Sequence, residues 1–275
     1  MGPTPNRRRS GLAGIIVLLA VAALAVAGPG IAPHDPLAQD SGALLQGPSA
    51  TYWLGTDALG RDVLSRLLAG SRVSLAAALL SVAIGLTLGA VPGVLSVFLG
   101  GRAEWLSLRA VETLIILPFL VFAIAATALL GNGLVQAMFA VGILIAPAFF
   151  RVSRAAALPV ARADYIEAAR LMGASTGWII RRHVFGKVLP AVVVTTASMT
   201  GVCLSIVASL TFLGIGVVPP DPTWGGELAS GLGALYDRPF GPFAPGLAIV
   251  ATVWSLNAIA DALRDRNARV LEIRP

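Results

Sequence analysis

The side chains that could perform chemistry in this 275-residue sequence are few and lie far apart. Cys203 is the only cysteine and the sequence holds two histidines, which do not supply the ligands of a soft-metal cage. No GxxxxGK[ST] phosphate loop occurs, and neither a carboxylate pair nor a nucleophile–base pair is suggested. The sequence therefore predicts a protein that performs no bond chemistry itself and holds no metal or other cofactor.

The composition indicates an integral membrane protein. Of the residues, 56% are hydrophobic and only 12% are charged, and the mean hydropathy is +0.83. Soluble domains carry about a quarter charged residues, so this chain has too few to cover a water-facing surface. The net charge of +6 comes from cations between long apolar runs, which favours the lipid headgroup layer over nucleic acid as a partner.

Six apolar runs approach or exceed the roughly 20 residues that cross the hydrocarbon of a bilayer. Because backbone groups find no water there, such runs must be helical, and their lack of period-2 alternation excludes a transmembrane barrel. The predicted fold class is all-α, with six transmembrane helices. The runs are 11–28, about 73–99, about 106–130, 134–150, 188–213 and 243–262.

The first run also resembles a cleaved secretory signal. Arg7, Arg8 and Arg9 precede it and Ala25-Val26-Ala27 ends it. The run is long for such a signal, which favours a retained first span.

The basic residues predict that both termini lie in the cytoplasm. With that orientation all 20 Lys and Arg residues except Arg61, Arg66, Arg72 and Arg238 fall on the inner side. The first span, 11–28, is followed by a five-helix core. The inner segments are the tails 1–10 and 264–275, the connection between the second and third spans, with Arg102 and Arg109, and the loop 151–187 within the core, 73–263. The outer segments are 29–72 and 214–242.

The two outer segments differ in character. In 29–72, Asp57 is positioned to cap an amphipathic helix that has Arg66 at its far end and lies on the outer membrane face. The segment 214–242 holds seven Gly and five Pro in 29 residues, which argues against regular structure across most of it. Composition leaves open whether it is a lid over a passage or a solvated connector.

The inner loop contains a predicted two-helix elbow. Asp164 and Glu167 have the spacing of a capping box, which starts a helix over about 165–172 that stops at Gly173. Ser175 can cap a second helix that leads into the fifth span. Ala168 and Ala169 leave a bare surface near the basic residues Arg170, Arg181 and Arg182. By itself this pattern fits either a protein-docking surface or a basic loop held against anionic lipid.

The motif Glu167-Ala168-Ala169, followed by Gly173, resembles the EAA loop of bacterial ABC-importer permeases. Further stretches are similar, in the same order, to the dipeptide/oligopeptide permease family, and in particular to its "C"-type subunit. They are GTDALGRDVLSRLLAGSRVSL, DYIEAARLMGAS, RRH, SLTFLGIGVVPPDPTWG and PGLAIV with NAIADALRD, and they extend from about residue 54 to 269.

The resemblance implies a type I (MetI-like) permease in the bacterial inner membrane. It also implies a second homologous permease, two cytoplasmic ATPase subunits that bind ATP and Mg²⁺, and an extracytoplasmic substrate-binding lipoprotein. The implied cargo is di- or oligopeptides. The residues implied to couple to the ATPases are Asp164, Glu167, Ala168, Ala169, Arg170, Gly173, Ala174, Ser175, Arg182 and His183.

One departure from the family affects the elbow. Phe185-Gly186-Lys187 stands where the family usually has Leu-Pro-Asn, which leaves the angle between the elbow and the fifth span open. Within the spans, the row Gly85, Gly89 and Gly93 permits close helix approach, either to the partner permease or to another span of this chain. Pro92, Pro118 and Pro147 are expected to kink their helices.

Three other functions compete with peptide import. The same permease family serves nickel and other small solutes. An ion-coupled secondary transporter would need ionisable residues at mid-membrane and inverted repeats, neither of which the sequence displays. A receptor or scaffold without transport is supported only by the basic elbow.

Overall fold

A computed structural model describes the backbone of residues 5–217 and 219–272 and the side chains of 11–217 and 219–267. Within these residues the chain is helical except for loops and one isolated backbone bridge between Thr56 and Asp62. The helices are α1 Pro5–Ile31, α2 Val63–Leu99, α3 Gly101–Ile116, α4 Phe119–Leu130, α5 Leu134–Ala161, α6 Asp164–Leu171, α7 Thr176–Ile179, α8 Phe185–Phe212, α9 Trp224–Gly233 and α10 Phe243–Glu272, with a π-helical turn Ile180–Val184 between α7 and α8.

The two predicted tails are mostly helical. Helix α1 begins at Pro5, six residues before the predicted first span, and α10 continues to Glu272 through most of the predicted tail 264–275. Residues 1–4 and 273–275 of these tails lie outside the described residues. We call the end of the bundle that carries the loop before α2 the outer end, and the end that carries α6 and α7 the inner end.

Five helices in the described residues are long and apolar enough to cross a membrane, and a bent pair raises the number to six when it is counted as one span. The predicted third span, 106–130, is this bent pair. Helices α3 and α4 meet at an angle of 98°. Leu117 is extended at the break, because a proline at 118 disfavours helical backbone in the residue before it. Pro92 and Pro147 instead lie inside unbroken helices.

The most extensive helix contact joins α2 to α5. Gly85, Gly89 and Gly93 face α5, so the glycine row serves an intrachain contact. A Cβ atom at Gly89 would overlap the carbonyl oxygen of Ala146, and one at Gly93 would overlap Ser153. The two backbones therefore approach as closely as they do only because these side chains are absent.

We expect Gly89→Val to lower the free energy of unfolding by roughly 1–3 kcal/mol, because the added carbons must push α5 away. The measurement is thermal unfolding of the detergent-solubilised full-length chain. Gly186→Ala is the matched control, since a Cβ there has no neighbour within 4 Å. It should be neutral or raise stability by up to about 1 kcal/mol. Equal melting temperatures for the two variants would contradict this account of the α2–α5 contact.

The outer segment before α2 differs from the prediction. Helix α2 starts at Val63 and is capped by Asp62, whose carboxylate accepts from the backbone N–H groups of Leu64 and Ser65. The predicted cap, Asp57, instead accepts from the N–H groups of Leu59 and Arg61 in the preceding turn. The predicted separate helix on the membrane surface is thus the first part of α2.

Arg66 is buried and bonds to three other parts of the outer end. Its guanidinium donates to Glu227 of α9 at 2.8 Å and to the carbonyls of Pro36 and Pro220 at 3.0 and 3.2 Å. Burial raises the pKa of Glu227 above that of an ordinary glutamate, and the charge of Arg66 offsets part of the rise. This ion pair therefore fastens the second outer segment to the start of α2.

The segment 214–242 contains one helix, α9, which packs onto α2. Thr223 caps it by accepting from the N–H of Gly226, and buried Trp224 donates its indole N–H to the carbonyl of Leu67 at 3.1 Å. At Gly225 a Cβ would overlap the carbonyl of Ala208 in α8. Helix α9 is therefore wedged between α2 and α8, so this part of the segment is not a solvated connector.

Candidate functional site

The predicted elbow is present as two short helices, α6 and α7, between α5 and α8. The predicted first helix, 165–172, agrees within one residue with α6. The predicted capping box is wrong, because Ala163 occupies the cap position and no side chain caps the helix. Asp164 and Glu167 lie in the first turn instead, where their negative charges interact favourably with the exposed N–H groups of the helix end.

Gly173 ends α6 as the sequence predicts. Its φ of 88° lies in the left-handed region that favours glycine. The N–H of Gly173 donates to the carbonyl of Arg170 at 2.9 Å, and the N–H of Ala174 donates to that of Ala169 at 3.0 Å. These two bonds form a Schellman motif, which satisfies carbonyls that the helix itself leaves open.

The second half of the elbow runs without a break into the membrane. Ser175 caps α7 by accepting from the N–H of Trp178 at 3.3 Å, as predicted. From Thr176 to Phe212 the backbone forms one helical stretch of 37 residues, with the π-helical turn inside it. Gly186 lies within α8 and does not break it, so α7 and the fifth span form one continuous helical stretch.

One face of the elbow packs against the inner ends of the membrane helices. Ile166 and Ile179 are fully buried and cluster with Ala157 of α5, Val184 of the π-helical turn and Val188 of α8. Val94, Val97 and Phe98 of α2 pack against this cluster. Through this cluster the elbow is attached to the inner ends of α2, α5 and α8.

Aromatic and cationic contacts join the two halves of the elbow to each other and to α2. The His183 ring lies 5.6 Å from that of Tyr165 and 5.3 Å from that of Trp178, measured between centroids. The guanidinium of Arg170 lies 5.6 Å above the ring of Phe98, which is cation–π geometry. Arg170 and His183 thus contact the protein as well as water.

Most of the residues implied to couple lie on the free face. Ala169 is an exception, since it faces the core, and Ala174 and His183 are half-buried. The exposed members are Asp164, Glu167, Ala168, Arg170, Gly173, Ser175 and Arg182.

The free face also carries two large apolar side chains that sequence reasoning did not single out. Leu171 is 84% exposed and Met172 is 81% exposed. Leu171 falls on the same side of α6 as Asp164 and Glu167, opposite buried Ile166, and this helical spacing is the signal that could have found it. Adjacent exposed apolar side chains ringed by charges are typical of a protein-binding surface.

Long apolar helices packed as a bundle, with a two-helix elbow between two of them, define a multi-span helical membrane protein. Two family models match this chain. The model described as "Binding-protein-dependent transport system inner membrane component" matches residues 81–272, and "N-terminal TM domain of oligopeptide transport permease C" matches residues 6–48. The chain therefore belongs to the binding-protein-dependent transport permeases, and the predicted resemblance to a "C"-type permease is confirmed.

Curated relatives agree with this assignment over most of the chain. The glutathione transport system permease protein GsiD of Pectobacterium atrosepticum is 38% identical, covering 92% of this chain and 84% of the relative. The probable D,D-dipeptide transport system permease protein DdpC of Escherichia coli is 38% identical, covering 91% of this chain and 84% of the relative. The di/tripeptide transport system permease protein DppC of Pseudomonas aeruginosa is 39% identical, covering 94% of this chain and 87% of the relative.

A solved structure confirms the fold. A chain of the inward-facing MetNI methionine ABC transporter superposes with a TM-score of 0.58, covering 75% of this chain and 96% of that one, at 21% identity. The predicted type I, MetI-like fold is thus present.

We expect Ile179→Ala to loosen the elbow. The substitution leaves a cavity beneath α6 and should cost about 2–4 kcal/mol. Hydrogen exchange of the 164–179 amides should accelerate more than that of α5 or α10. Leu171→Ala, which shortens an exposed apolar side chain in the other helix of the elbow, is the control and should leave the exchange rates unchanged. If both variants exchange alike, the buried face does not hold the elbow.

Proposed function

We propose that this chain is one of two permease subunits of an ATP-driven bacterial importer of di- or oligopeptides. The observation that carries the proposal is its 38–39% identity, over more than nine-tenths of the chain, to permeases named for glutathione, D,D-dipeptides and di/tripeptides. These cargoes are all short peptides. The shared cargo class favours peptide over nickel or another small solute.

The proposed complex contains four further subunits. A second, homologous permease completes the pathway, two cytoplasmic ATPases bind ATP and Mg²⁺, and an extracytoplasmic lipoprotein delivers cargo. The basic residues of the inner loop and of both tails support a cytoplasmic location for the termini and the elbow. The sequence has no phosphate loop of its own, so another chain must supply ATP hydrolysis.

The elbow is the proposed binding site for the ATPases. Its free face offers Leu171 and Met172 as apolar anchors, with the charges of Glu167 and Arg170 beside them. Closure of an ATPase dimer shifts the orientation of a membrane domain only if the closed dimer binds the two orientations with different free energies. The single helical stretch 176–212 and the packed underside of α6 support transmission of that difference as rigid-body motion.

The family assignment and the placement of charges argue against an ion-coupled secondary transporter. Among the described residues, the buried carboxylates are Asp57, Asp62 and Glu227, and all three lie at the outer end. No described span buries an aspartate or glutamate at mid-membrane, where a proton or ion relay would need one.

The test is ATP-dependent uptake of dialanine by vesicles that contain the assembled complex. Leu171→Asp places a charge on the apolar contact and Glu167→Lys reverses a neighbouring charge. Each should lower uptake at least tenfold and weaken co-purification of the ATPases. The control Leu44→Asp places the same charge on an exposed outer leucine and should transport normally. Normal uptake with a full complement of ATPases in both elbow variants would refute the coupling role.

A further inference from the structure

A cavity of about 230 Å³ lies at the outer end of the bundle, beside α8 and α9. Its lining includes four charged side chains, Arg61, Arg66, Asp221 and Glu227, together with the hydroxyls of Thr223 and Ser230. A space of this size is far larger than one water molecule needs. It is therefore large enough to admit a charged organic group.

Two of the four charges neutralise each other. Arg66 donates to Glu227 through Nε at 2.8 Å, and a second guanidinium nitrogen lies 2.7 Å from the same carboxylate oxygen. The remaining terminal nitrogen of Arg66 is bonded to the carbonyls of Pro36 and Pro220. This pair forms a wall of the cavity and has little capacity left for a ligand.

Arg61 has hydrogen-bond donors that no described residue uses. Its side chain is 10% exposed, and its Nε donates to Asp57 at 2.7 Å. Its two terminal nitrogens form no hydrogen bond with any described residue. The described part of the chain also contains no fully buried side-chain nitrogen or oxygen without a partner, so these two nitrogens keep some accessible surface, and Arg61 is one of the residues that line the cavity. Two parallel N–H donors on one guanidinium match the two oxygens of a carboxylate.

The fourth charge, Asp221, has the opposite sign and is exposed. It forms no ion pair among the described residues. The cavity thus offers two unused N–H donor groups on Arg61, whose charge is paired with Asp57, and one carboxylate, Asp221, that no described side chain pairs. A short peptide with free ends carries the complementary pair, a terminal carboxylate and a terminal ammonium group.

We propose that this cavity binds the free termini of a short peptide, with the terminal carboxylate on Arg61 and the terminal ammonium on Asp221. The proposal rests on peptide import as the function and adds where the cargo first meets the permease. Recognition of the termini is independent of the peptide's side chains. It therefore suits a transporter whose cargo varies in sequence.

The test places a thiol in the cavity at Ser230→Cys, in the assembled complex in nanodiscs. Cys203 is fully buried, so the new thiol is the chain's only accessible one. Its labelling rates are compared for an anionic and a cationic methanethiosulfonate of similar size. Arg61→Gln should lower the anionic-to-cationic rate ratio at least threefold, because a nearby positive charge is lost. Asp221→Asn should raise the ratio.

Arg72→Gln is the matched control, because Arg72 is exposed on α2 and is not among the residues that line the cavity. It should leave the ratio unchanged. Millimolar dialanine should slow labelling in the unmodified background, and dialanine blocked at both ends should not. Should Arg61→Gln fail to assemble, the rise with Asp221→Asn carries the test alone.

Several results would overturn the proposal. The first is an equal anionic-to-cationic labelling ratio in the Arg61→Gln and Arg72→Gln complexes. The second is equal slowing of thiol labelling by free and blocked dialanine, and the third is slowing of thiol labelling by the cargo-free lipoprotein. The last would assign the cavity to an acidic side chain of that protein. Peptide uptake by the same complexes is measured separately. Normal uptake with charge-independent labelling would reject the cavity site and leave the import function standing.

Discussion

The close approach of α2 and α5 is the constraint on which the rest of the structure depends. In a membrane there is no hydrophobic force between helices, so association relies on tight packing, and the glycine row of α2 supplies it. The same contact aligns the inner ends of the two helices. There α2 contributes Phe98 and α5 contributes Ala157 to the apolar seat beneath the elbow.

The two ends of the bundle are held by different forces. At the inner end the elbow packs on a small apolar core. Each methyl group removed from such a core lowers the free energy of unfolding. At the outer end a buried arginine joins a glutamate 161 residues away in the chain, and each charge depends on the other to offset its loss of water. The inner contact is apolar packing, whereas the outer contact is an ion pair that fixes α9 against the start of α2.

The elbow combines a rigid attachment with an adaptable free face. Its underside packs in the apolar cluster, and from Thr176 onward its backbone continues without a break into α8. Its free face carries exposed leucine, methionine and charged side chains that make no comparable packing contact. This arrangement supports the proposed coupling role, because the underside of the elbow packs against the spans while its free face is open to a partner.

The sequence alone determined the membrane class, most of the spans, the stop of α6 at Gly173 and the cap at Ser175. Hydropathy, glycine's left-handed backbone and a local hydroxyl cap each act within a few residues, so they can be recognised without a fold. Only the tertiary structure decided that the glycine row meets α5, that Arg66 is buried against Glu227 and that Arg61 keeps two donors towards a cavity. Those outcomes depend on which distant segments pack together. The cap at Asp62 rather than Asp57 and the 98° angle at the break before Pro118 belong with them, because several helix starts and several bend angles were locally allowed and packing selected one.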